Sequence, residues 1–256
     1  MVGIIGGSGF YNLDWLENTI EKIAKNEYGQ TRLKIGILAG KKVVFLARHG
    51  FSHSIPPEAI NFRANLKAFA DEGVTDIIST TAVGGIIKTM KPGDFAITTQ
   101  FIDMTWGRCG TFYDKPGKVV HTDVSNPYSP KLRNYICDSF KTLGLPFHDN
   151  AVYICTQGPR FETPAEIKAF AVMGATIIGM TGCPEVALAA ELGIPYASIA
   201  VITNLAAGVS INPLSHTEVM SIFNDRISIL RDVLRLTTLK VLENLSTPDP
   251  PRAINV

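Results

Sequence analysis

Residues 151–203 read AVYICTQGPRFETPAEIKAFAVMGATIIGMTGCPEVALAAELGIPYASIAVIT, and the order of patterns within them decides the fold. Ala151–Thr156 is a short run of β-branched and aromatic residues, Thr176–Gly179 a second apolar run and Ala197–Thr203 a third. Between them, Pro164–Met173 and Pro184–Leu192 keep a helical period, open with proline and are followed directly by Gly174 and Gly193. Proline suits the first helical turn, where its missing N–H would have had no partner, and glycine accepts the left-handed residue that ends a helix. Strand, helix, strand, helix, strand is the signature of an α/β layered domain.

The same alternation extends outward. Val2–Ile5, Lys34–Leu38, Val43–Ala47, Asp76–Thr80 and Asp94–Ile102 are further strand candidates, while Ile60–Glu72 and Pro130–Leu143 read as helices, again followed by Gly73 and Gly144. From His216 to about Leu245, Val219, Ile222, Phe223, Ile227, Leu230, Val233 and Leu234 recur at three and four spacing, which predicts a long amphipathic helix. The tail at 246–256, STPDPPRAINV, holds three prolines and is expected to be mobile or extended. No internal repeat or low-complexity linker divides the chain, so 1–245 is expected to form one domain.

Composition narrows the function classes. The 256 residues are 46% apolar and 18% charged, with a mean hydropathy of +0.16, which implies an extensive core and excludes a disordered or fibrous chain. A net charge of +1 lacks the basic footprint of a nucleic-acid binder, so any anion must be met by a local cluster. Cys109, Cys137, Cys155 and Cys183 form no C-x-x-C, which suggests neither a zinc site nor a disulfide framework and fits a reducing compartment. MVGIIGGSGF has no basic start or long apolar stretch, and no run approaches 18 apolar residues, so a soluble cytoplasmic protein is expected.

Several strand ends carry polar turns. Gly6-Gly7-Ser8-Gly9 follows the first strand, where backbone N–H groups can converge on an anion, although the spacing is not the G-x-G-x-x-G of a dinucleotide site. Arg48 and His49 close the run Phe45–Ala47, and Ser79–Gly85 and Gly179–Glu185 place Thr81 and Thr181 at two further strand ends. Each alone reads equally well as a turn, a surface ion pair or a core-edge histidine, and His53 is in the same position. Together, Ser8, Arg48, Thr81 and Thr181 look like a phosphate cradle. In Gln157-Gly158-Pro159-Arg160-Phe161-Glu162-Thr163, Glu162 or Thr163 could cap a helix and Phe161 could be core. No carboxylate and histidine cluster has metal-ligand spacing.

GGSGF, LARHG, TTAVGG, FIDMT, TQGPRFET, GMTGCPEV and ITN, in this order from Ile4 to about Val233, resemble the trimeric branch of the purine nucleoside phosphorylase and methylthioadenosine phosphorylase family. The resemblance implies a single α/β domain with a mixed sheet flanked by helices, a homotrimer (possible as a dimer of trimers), and phosphorolysis of a purine nucleoside with inorganic phosphate as co-substrate and no cofactor. It further implies that Ser8, Arg48, His49, Thr81, the Ala82 amide and Thr181 bind phosphate, that Met180 lies under the ribose and that Phe161 stacks on the purine. Arg48, His49 and Asn204 would be the catalytic set.

Within that family, Thr203-Asn204-Leu205-Ala206 stands where the adenosine-type enzymes carry an aspartate-rich T-D-Y-D segment, and Glu162 stands where they usually have serine. The Asn204 amide can donate to a 6-carbonyl and meet N7, and a carboxylate at 162 accepts from N1–H, a proton that adenine lacks. Both differences point to a 6-oxopurine base. His216, at the start of the last helix, resembles the histidine that serves the 5′-hydroxyl in the inosine and guanosine enzymes, or it is a helix-start residue. His121 resembles a residue reaching a neighbouring subunit's substrate. The expected activity is phosphorolysis of inosine and guanosine in purine salvage. S-methyl-5′-thioinosine is the alternative substrate, and a non-catalytic nucleoside-binding protein or a water-using nucleosidase is the alternative of a different class.

Overall fold

The apolar runs become the inner strands of a nine-stranded mixed sheet covered by helices on both faces. The computed structural model describes residues 1–7, 10, 13–117, 119–210, 216–245 and 253–255, without the side chains of 216–219 and 253–255. In chain order the elements are β1 (Val2–Gly6), β2 (Glu17–Asn26), β3 (Gly29–Leu38), β4 (Lys41–Ala47), α1 (Phe62–Asp71), β5 (Asp76–Gly85), β6 (Phe95–Met104), β7 (Val120–Thr122), α2 (Pro130–Thr142), β8 (His148–Thr156), α3 (Pro164–Val172), β9 (Ile177–Gly179), α4 (Glu185–Glu191), β10 (Tyr196–Leu205), α5 (His216–Glu243) and β11 (Ala253–Asn255).

Successive residues of a strand point to opposite faces, so an all-apolar strand must be covered on both. Ile4, Phe45 and Ile78 pack with Leu132, Ile136 and Phe140 of α2 and Phe223, Leu230 and Val233 of α5. Their neighbours Ile5, Leu46 and Ile77 pack on the other face with Phe62, Leu66 and Phe69 of α1 and Val186 and Leu188 of α4. Each such fully buried side chain contributes roughly 1.5–3 kcal/mol before chain entropy is counted.

The helix ends follow the sequence closely. Gly73, Gly144, Gly174 and Gly193 have φ of +78°, +65°, +92° and +68°. The N–H of the residue after each glycine donates to the carbonyl five positions back, as from Val74 to Phe69 and from Ala175 to Phe170, at 3.0 and 3.1 Å. Thr163 caps α3 by accepting from the Glu166 N–H, and the Glu166 side chain accepts from the Thr163 N–H, a capping box that gives Thr163 its role.

Two features position the site. First, β5, β10, β6, β8 and β9 each pair with the next and β9 pairs back with β5, closing a ring of five strands, while β1, β4, β3 and β2 extend from β5. Second, β1 and β5 pair only from Val2↔Asp76 to Ile5↔Ser79, whereas β5 continues beside β10 as far as Gly85. The sheet therefore splits beyond Ser79, at the carboxyl ends of parallel strands, where α/β folds form their crevices.

Four elements differ from the sequence reading. β2 is a strand although its residues carry no alternation, because it is an edge strand with both faces largely exposed and no core selects its pattern. β7 and β11 are three-residue strands that pair with each other, so part of the proline-rich tail is extended along the domain. α4 begins at Glu185, with Pro184 at its N-cap. Among the described residues no helix is long and apolar enough to cross a membrane.

Candidate active site

A cavity of about 410 Å³ lies where the sheet splits, within the size range of small-molecule sites. Gly7 leaves β1 into it, His49 follows β4, and Thr81–Gly84 come from β5. Ile178–Thr181 come from β9 and its exit, Phe161 and Glu162 from the β8–α3 connection, and Thr203, Asn204 and Ala206 from the end of β10. Met220 of α5 covers it. Nine of the expected site residues thus share one cavity: His49, Thr81, Ala82, Phe161, Glu162, Met180, Thr181, Asn204 and Ala206.

Several of the lining groups are small and neutral. Thr81 and Thr181 are buried hydroxyl residues, and among the described residues no Lys or Arg side chain lines the cavity. The Thr181 and Gly182 N–H groups, which precede α4, both donate to Tyr153 Oη at 3.1 Å. They are therefore already satisfied inside the protein, and the Thr181 hydroxyl is the part of that turn free to meet a ligand.

Arg48 does not line the cavity. Its side chain is 1% exposed and forms a fork on Glu185, with Nε 2.8 Å from Oε2 and Nη2 2.7 Å from Oε1, while Nη1 donates to the Thr80 carbonyl at 3.0 Å. Tyr196 Oη donates to Glu185 Oε1 at 2.6 Å, completing the buried network. Burial opposes the charge on Arg48, but the Glu185 carboxylate outweighs it and raises the guanidinium pKa. Of five N–H groups, one on Nη1 and one on Nη2 remain. The cavity-lining Gly7 lies close to Nη1, since a Cβ on it would stand 3.3 Å from Nη1 and 2.6 Å from the Thr80 carbonyl oxygen. The full positive charge expected here is thus matched by a carboxylate, because a bare guanidinium would be too costly to bury.

His49 is buried, and its Nδ1 stands 2.8 Å from the Ile55 carbonyl, while the Ile55 N–H donates to the His49 carbonyl at 3.1 Å. Burial lowers its pKa to about 4, helped by the nearby charges of Arg48 and His53. At neutral pH the ring is uncharged; a carbonyl only accepts, so Nδ1 carries the hydrogen and Nε2 is an acceptor.

Glu162 and Asn204 are the distinguishing polar groups of the lining. Glu162 Oε1 accepts from Thr156 Oγ1 at 2.6 Å, so this residue faces the cavity and is not a helix cap. Phe161 is 42% exposed at the mouth, which rules out an ordinary core role. Opposite, the register between β10 and β5 slips between Ile202 and Asn204, a bulge at Thr203 that re-aims Asn204. Asn204 Nδ2 donates to the Leu205 carbonyl at 3.0 Å and keeps one N–H.

The remaining expectations fall elsewhere. Leu205 does not line the cavity and offers its carbonyl to Asn204. His121 lies on β7 and lines a separate surface depression with Tyr113 and Glu191. Ser8 and the side chain of His216 lie outside the described residues, although His216 starts α5 one turn before Met220. Among the described residues no group of three or more His, Cys, Asp or Glu is placed to hold a metal ion.

Residues 1–236 match the phosphorylase superfamily. The 6-oxopurine nucleoside phosphorylase of Pyrococcus furiosus is 46% identical over 231 residues, covering 88% of this chain and 87% of that one. The S-methyl-5′-thioadenosine phosphorylase of Thermofilum pendens is 46% identical over 205 residues, covering 79% and 78%. The solved structure of methylthioadenosine phosphorylase from Schistosoma mansoni in complex with adenine superimposes with a TM-score of 0.91 at 30% identity, covering 94% of this chain and 92% of that one. The chain belongs to the phosphorylase superfamily and has its nucleoside phosphorylase fold.

Proposed function

We propose that this enzyme is a 6-oxopurine nucleoside phosphorylase, cleaving inosine and guanosine with inorganic phosphate to the free base and ribose 1-phosphate. The observation that carries the reading is one cavity lined both by Glu162 and Asn204 and by Thr81, Ala82 and Thr181. A 6-oxopurine offers an N1–H to Glu162 and its 6-carbonyl or N7 to the one remaining N–H of the Asn204 amide. Adenine offers Glu162 only a lone pair.

In the reaction a phosphate oxygen attacks C1′ as the bond from C1′ to N9 breaks. The bonding pair passes into the purine, which takes up a proton from solvent as it leaves, while the phosphate gives up its P–OH proton to solvent as ribose 1-phosphate forms, so the two balance. The protein's part is to hold both reactants and to stabilise charge that develops between them. The Thr81 and Thr181 hydroxyls, the Ala82 N–H, Ser8 and the two remaining N–H groups of Arg48 are the donors to phosphate. His49 Nε2, as an acceptor, takes the single P–OH of the dianion and so orients it. Phe161 stacks on the base, Met180 lies beneath the ribose, Ala206 shapes the base pocket, and His216 serves the 5′-hydroxyl. Asn204 steadies the departing purine through N7. No cofactor enters this scheme.

The resemblance further supports a homotrimer in which His121 completes a neighbour's site, and a cytoplasmic role in purine salvage by one domain over 1–245.

The test is a change of base preference. Asn204→Asp combined with Glu162→Ser should move the ratio of kcat/KM for inosine over adenosine by roughly two or more orders of magnitude, since mismatched buried polar groups discriminate by up to about 10⁴–10⁵. An unchanged ratio in the double variant would refute the base assignment.

A further inference from the structure

The exits of β8 and β9 carry two of the segments that line the cavity, and the sheet stops holding them together just before the lining residues begin. β8 and β9 pair through Tyr153↔Ile177, Ile154↔Ile178 and Cys155↔Gly179, and their ladder ends there. Met180 and Thr181 follow at once on one exit, and Phe161 and Glu162 a few residues later on the other. Between the exits lies Arg108, from the loop after β6. Its Nη1 donates to the Met180 carbonyl at 2.9 Å and the Cys183 carbonyl at 2.6 Å, and its Nη2 to the Gln157 carbonyl at 2.9 Å, with the Thr156 carbonyl at 3.5 Å. The guanidinium rests on the Phe62 ring, 5.6 Å from its centre.

We infer that Arg108 is a positioning residue for the reaction, a brace that fixes the base-facing exit of β8 against the sugar-facing and phosphate-facing exit of β9. The chemistry suits the task. All four partners are carbonyls, which only accept, so the bridging group must be purely a donor, and the planar fork of arginine aims four N–H bonds in two directions at once. A lysine ammonium has three donors on one atom and cannot span both exits. Because the partners are carbonyls and not carboxylates, the residue acts by direction and not by neutralising a charge. Its neighbours in the cavity touch the substrate; Arg108 acts through them.

The inference rests on the phosphorylase reading, and its test separates the two. Arg108→Ala should lower kcat/KM for inosine by about 10- to 100-fold, the loss expected when reacting groups are misplaced by about an ångström. Binding of free hypoxanthine, which touches only the β8 exit and Asn204, should weaken by no more than about threefold. Guanidinium ion below denaturing concentration should restore part of the lost activity in Arg108→Ala and none in wild type, ammonium ion should not, and Arg108→Lys should recover little. An active wild type with Arg108→Ala within about twofold of it would overturn the inference alone. So would hypoxanthine affinity falling in proportion to turnover, or a defect that guanidinium fails to relieve, since either marks general loss of structure. A wild type inactive on inosine with phosphate would overturn the functional reading and this inference with it.

Discussion

Arg48 shows how a residue can be recognised before its environment is. An arginine at the end of a buried strand, beside a glycine-rich turn, is a sound anion candidate from sequence, and the structure brings it close to Gly7. Its partner Glu185 lies 137 residues away and sits in the first turn of a short helix, where an acidic residue needs no special explanation. Only the fold joins the two. The pair makes a prediction that separates stability from phosphate use. Arg48→Met leaves Glu185 buried without its cation and should cost about 3–5 kcal/mol of folding free energy. Adding Glu185→Gln removes the orphaned charge and keeps an acceptor for Tyr196, so urea unfolding should show most of that loss recovered. The phosphate KM should remain raised in the double variant. A double variant with wild-type phosphate KM would show that Arg48 supports the fold and not the anion.

At the scale of elements, the sequence is readable wherever burial or backbone geometry selects residues. Helix ends marked by glycine and starts marked by proline or threonine agree with the observed ones to within a residue or two, because positive φ and missing donors are local demands. β2 was illegible for the opposite reason, since both its faces are largely exposed and burial selects almost none of its residues. The Arg108 brace was equally hidden, as a lone arginine in TWGRCG carries no sign of four carbonyls from two distant segments. The junction of β5 and β10 also yields a test. A Cβ on Gly84 would stand 3.1 Å from Ile178 Cγ2 and 3.2 Å from Asn204 Nδ2, so Gly84→Ala presses on both Ile178 and the amide that meets the base. Its kcat/KM for inosine should drop by about tenfold or more, with overpacking costing about 1–3 kcal/mol in thermal unfolding. Unchanged kcat/KM would place Asn204 outside base recognition.

At the scale of the molecule, a closed ring of five strands and a split beside β1 converge seven segments on one cavity, drawn from residues 7 to 220. That convergence is why no single motif identified the site while their ordered set did. It also bears on the expectations the cavity left out: Arg48 is buried on Glu185, the Leu205 carbonyl accepts from Asn204, and His121 lies on a two-stranded ribbon apart from the nine-stranded sheet. The most direct test of the whole is release of hypoxanthine from inosine by the purified protein, measured with and without inorganic phosphate and compared with adenosine. Release should require phosphate, yield ribose 1-phosphate in equal amount, and exceed the rate on adenosine by at least about 100-fold. Release that proceeds equally without phosphate, or adenosine cleaved within about tenfold of inosine, would contradict a 6-oxopurine nucleoside phosphorylase.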